Sequence, residues 1–136
     1  MKVEEANKMS VQEMLDFMID KIVEQGGQCS YPDGVCAYAN EKSMHCAVGW
    51  LLDESCDELM GEEGNVIDIV CEASDGKYKI PDAITKDTRL FSRVQLIHDL
   101  TRTEVRLNHL KILKREHPQY NFDNPNWMKW VEMGEA

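Results

Sequence analysis

Cys29, Cys36, His45 and Cys46 have the side-chain types of a zinc site, and Cys46, His98 and Asp99 fall in the chain order of a thiol nucleophile, its base and an orienting carboxylate. Zinc would need four soft ligands closing on one point. The spacing C-x6-C-x8-H-C lacks the close C-x2–4-C pairs of structural zinc sites. If the stretch folds as a hairpin, alternation puts Cys29 and His45 on one face and Cys36 and Cys46 on the other. Ligands divided in this way cannot surround one ion, so no metal or other cofactor is expected.

Nucleophilic chemistry would need Cys46 to open a helix, whose dipole favours the thiolate, with His98 as partner. Yet at 100° per residue His98 lies about 40° from Val94 and about 20° from Phe91. It therefore belongs to the apolar stripe of its own helix. Asp99 is one residue step away and poorly placed to orient the ring of its neighbour. A histidine that locks one helix to the hairpin is the plainer reading, and the protein is read as not an enzyme. No glycine-rich phosphate loop, G-x-S-x-G or H-E-x-x-H occurs in the chain.

The elements that would position these residues can be traced along the chain. Ser10 and Glu13 form a capping box, and Val11, Met14, Leu15, Met18, Ile22 and Val23 then recur at helical spacing up to Gly26-Gly27. This predicts a helix over 10–25. "YPDGV" at 31–35 has the residues of a tight turn, and a second turn at 40–42 would return "VCAY" as "SMHC". An antiparallel β-meander over 28–46 follows. From Cys46 the spacing of Ala47, Trp50, Leu51 and Leu59 predicts a helix that ends at Gly61, and 65–74 is helix or strand, with helix favoured.

A helix is expected over 85–100, another from a Thr101/Glu104 capping box to just before Pro118, and a short one opened by Asn124 and Pro125. Trp127 and Trp130 on this last helix would clasp the C-terminus to the rest. The fold class expected is α+β: one domain over 1–136, mainly helical, with the small meander packed on the helices. No run of 18 or more apolar residues is present, so no membrane contact is expected, and the acidic start "MKVEEANKMS" lacks a secretory h-region. Five cysteines without such a signal point to a reducing cytoplasm.

Charge is segregated. Residues 1–76 carry 17 acids and 4 bases, whereas residues 77–136 carry 8 acids and 11 bases, within a net charge of −10. No Lys or Arg lies between Lys42 and Lys77, a window that holds Asp53, Glu54, Asp57, Glu58, Glu62 and Glu63. Such a field repels nucleic acid and steers basic protein surfaces toward it. Those six residues are the candidate partner-binding surface. Imitation of DNA phosphates toward a nucleic-acid-binding protein is one alternative, and a thiol- or zinc-dependent enzyme using Cys46 and His98 is another.

"CAY", "HCAVGWLLDE" and "VQLIHD", followed by a tryptophan-bearing helix, resemble a group of small phage and prophage proteins. Cys36, Tyr38, Cys46, Gly49, Gln95, His98 and Asp99 stand at the matching motif positions. Trp50 departs from the pattern, in which Cys or His is common there. The resemblance implies a setting, the cytoplasm of an infected bacterium, and an accessory protein that binds and modulates a host protein with a basic surface. It implies no activity.

Overall fold

The computed structural model describes residues 2–27, 45–52, 70 and 79–135. Its elements are α1 (Val3–Asn7), α2 (Val11–Gln25), a 3-10 turn (Val48–Leu51), α3 (Asp82–Lys86), α4 (Thr88–Asp99), α5 (Thr103–Glu116) and α6 (Asn126–Glu132). The described residues are mainly helical and contain no strand or sheet, so the described fold is all-α and the α+β expectation is corrected. An isolated bridge pairs Arg102 with Glu135. Most of the expected meander, 28–44, and the 65–74 segment except Val70 lie outside the described residues. Among those residues no helix is long and apolar enough to cross a membrane.

Helix α2 forms as its sequence dictates. The Ser10 Oγ accepts from the Glu13 N–H at 3.1 Å, and the Glu13 carboxylate accepts from the Ser10 N–H at 3.0 Å. At the other end Gly26 adopts φ 91°, a left-handed conformation that glycine enters without a Cβ clash. Met14, Leu15, Met18, Ile19 and Ile22 are buried along one stripe. That stripe packs on α6, where Trp127 and Trp130 are fully buried, and on the 3-10 turn. Phe122 meets Trp127 edge-on at 5.1 Å. The Trp127 and Trp130 indole N–H groups make no hydrogen bond, so the area these rings bury outweighs two unmade donors. Polar stitches reinforce the join: Asn124 and Asn126 both donate to the Asp20 carboxylate, at 2.9 and 2.8 Å.

Three helix boundaries differ from expectation. The α-helix expected from Cys46 begins instead as a 3-10 turn, with Leu52 already extended. Cys46, Ala47, Val48, Gly49, Leu51 and Leu52 are buried and Trp50 is half-buried, with the turn packed on α2 and α4, so consecutive residues are enclosed rather than the single stripe of an amphipathic helix. The helix expected over 85–100 is divided at Asp87, whose side chain accepts from the Leu90 N–H and starts α4 afresh. The Thr101/Glu104 capping box does not form. Arg102 is the N-cap, without a side-chain bond, and the Thr103 N–H donates to the Glu135 carbonyl at 2.8 Å.

The C-terminal backbone thus does the work of a capping side chain. The Glu135 N–H completes the exchange by donating to the Thr101 carbonyl at 2.6 Å. Gly134 is required for this close approach, because a Cβ there would sit 2.8 Å from the Thr103 nitrogen and 3.0 Å from the Thr101 oxygen. Backbone atoms cannot step aside as a flexible side chain can. Gly134→Ala is expected to lower unfolding free energy by about 1–3 kcal/mol. In a urea titration it should also release the Thr103 amide to hydrogen exchange well before the amides of α2.

Candidate functional site

The described motif residues converge where α4 meets the 3-10 turn. Gln95, on the buried side of α4, is 5% exposed. Its Oε1 accepts from the Val48 N–H at 3.1 Å, and its Nε2 donates to the Asp99 carboxylate at 3.1 Å, one turn along α4. The amide therefore receives a backbone donor of the turn and hands its own donor to Asp99. Gly49 is buried in the turn. Cys46 is 1% exposed, and its carbonyl accepts from the Trp50 N–H at 3.2 Å as the turn begins. Gln95→Met, which keeps the volume and removes the acceptor, should cost about 1–3 kcal/mol by leaving a buried N–H unmet. Thermal unfolding measured beside the wild type reads this directly.

His98 has no exposed surface. Its ring stacks on Trp130 with centroids 6.2 Å apart and planes 26° apart. Burial, with a smaller contribution from the Arg106 charge, pushes the imidazole pKa down to about 3. An imidazole so reluctant to take a proton is a poor general base, since effective bases are tuned toward the working pH. Cys46 also lacks the setting that nucleophilic chemistry would need. It leads into a four-residue 3-10 turn, which supplies little of the aligned dipole of an α-helix. Both side chains are sealed in the core, away from any substrate in water.

His45 is half-buried and lies against Trp50, with ring centroids 4.4 Å apart. Its backbone is gripped by Gln25, which accepts from the His45 N–H at 3.0 Å and donates to the His45 carbonyl at 2.6 Å. Burial lowers its pKa as well. Lys21 places its ammonium 5.5 Å from the Trp50 ring and 5.8 Å from that of Phe17. Among the described residues no three His, Cys, Asp or Glu side chains are grouped as metal ligands would be. Cys29, Cys36, Tyr38 and the acidic set Asp53, Glu54, Asp57, Glu58, Glu62 and Glu63 lie outside the described residues.

Arg106 is the central polar residue that sequence reasoning passed over. It is 3% exposed, donates from Nε to the Leu100 carbonyl at 2.7 Å and from Nη1 to the Trp130 carbonyl at 2.9 Å. Its guanidinium lies 5.9 Å from the centre of the Trp130 ring. Leu100 caps the C-terminus of α4, and Trp130 lies in the last turn of α6. Gly26 and Gly27, at the end of α2, border with Arg106 a cavity of about 110 Å³ that Thr101 and Glu135 also line. Two helix C-terminal carbonyls, at ends that carry partial negative charge, thus accept from one cation. Burial lowers the Arg106 pKa while Glu135 raises it. A signal was present: Arg106 stands in the i, i+4, i+7 register with Leu110 and Leu113, an arginine in an apolar stripe.

Away from this hub, Glu116 joins α4 to α5 by accepting from Arg89 at 2.9 Å and Arg93 at 3.0 Å. Arg93 also donates to the Nδ1 of His109 at 3.2 Å. Comparison with family models, curated proteins and solved structures finds no match for this chain.

Proposed function

We propose that this is a phage-encoded, non-enzymatic accessory protein of the bacterial cytoplasm that binds and modulates a host protein with a basic surface. Its working residues would be Asp53, Glu54, Asp57, Glu58, Glu62 and Glu63. The observation that carries this reading is the burial of both Cys46 and His98, which supports a structural part for the thiol and imidazole. The motif residues Ala47, Gly49, Leu51, Leu52, Gln95 and Ile97 are buried with them. They account for the motif as a folding requirement and leave charge as the property available for recognition. A dense acidic window in a chain of net charge −10 supports steering toward a basic partner and disfavours nucleic acid.

The test is a charge reversal, Asp53→Lys, Glu54→Lys, Asp57→Lys and Glu58→Lys together, compared with wild type in affinity capture from bacterial lysate. The expected outcome is one host protein held by wild type, lost at raised ionic strength, and lost by the variant while its helical circular dichroism is unchanged. Capture of the same protein by the folded variant would overturn the reading. Competition of the captured protein by duplex DNA would replace it with phosphate mimicry toward a nucleic-acid-binding protein.

A further inference from the structure

We draw no further inference here: the strongest candidate, the groove of about 520 Å³ bounded by the α1–α2 turn and α3, has an apolar floor at Met9, Val11 and Met14 under a rim where Asp82, Asp87 and Lys86 oppose one another in charge, and nothing in the structure shows what covers it.

Discussion

Arg106→Met should destabilise the protein by about 3–5 kcal/mol, the range for removing one side of a buried charged hydrogen-bonded arrangement. Methionine fills much of the same space, so the loss is chiefly electrostatic. The Leu100 and Trp130 carbonyls lose a charged donor, and the helix C-termini lose the cation they surround. Hydrogen bonds to charged groups are worth more than neutral ones, and the bond to the Trp130 carbonyl is buried. Arg106→Lys separates charge from geometry. It keeps the cation, but a single ammonium cannot reproduce the planar fork that reaches two carbonyls, so it should recover only part of the loss. Urea titrations of the three proteins decide the matter. A Met variant within about 0.5 kcal/mol of wild type would show that the cation holds nothing together.

Acid should weaken the fold through His98. The unfolded imidazole titrates near its ordinary 6.5, whereas the folded one stays neutral until about 3. Between those values the unfolded chain binds a proton that the folded chain refuses, so stability rises with pH across that window. The contribution is complete above about pH 6.5, falls as pH drops toward 3, and changes no further below it. Its size is on the order of a few kcal/mol, large against the total stability of a small domain. His45, also lowered by burial, acts in the same direction. Denaturation midpoints measured from pH 4 to pH 8 should fall steeply on the acid side in wild type. In His98→Leu the slope should flatten, even if stability at pH 8 is lower. An unchanged slope would place the acid sensitivity elsewhere, in His45 or the carboxylates.

Local signals carried much of the helical plan. Ser10 and Glu13 marked the start of α2 and Gly26 marked its end, whereas α6 has Pro125 rather than Asn124 as its N-cap, with the Asn124 side chain accepting from the Asn126 N–H at 3.0 Å. His98 was legible as a member of the buried α4 stripe because its angular position depends on the helical period alone. Thr101 and Glu104 misled for a corresponding reason. A capping box competes with any other acceptor for the first amides of α5, and the Glu135 carbonyl, distant in sequence, takes the Thr103 N–H. Ala47, Trp50 and Leu51 misled because their helical spacing implies an amphipathic helix, whereas the segment packs on both α2 and α4 and its Val48 N–H is claimed by Gln95.

The sequence by itself determined where the main helices lie, which of their stripes are apolar, and how charge divides along the chain, because these depend on spacing and composition. Only the tertiary structure decided that Cys46 is sealed in the core, that Gln95 holds the 3-10 turn, and that a single arginine binds the ends of two helices. Those outcomes depend on which donors and acceptors from distant segments meet in a common low-dielectric interior. Hydrogen-bond partners 47 residues apart, as Val48 and Gln95 are, leave no periodic trace in the chain that joins them.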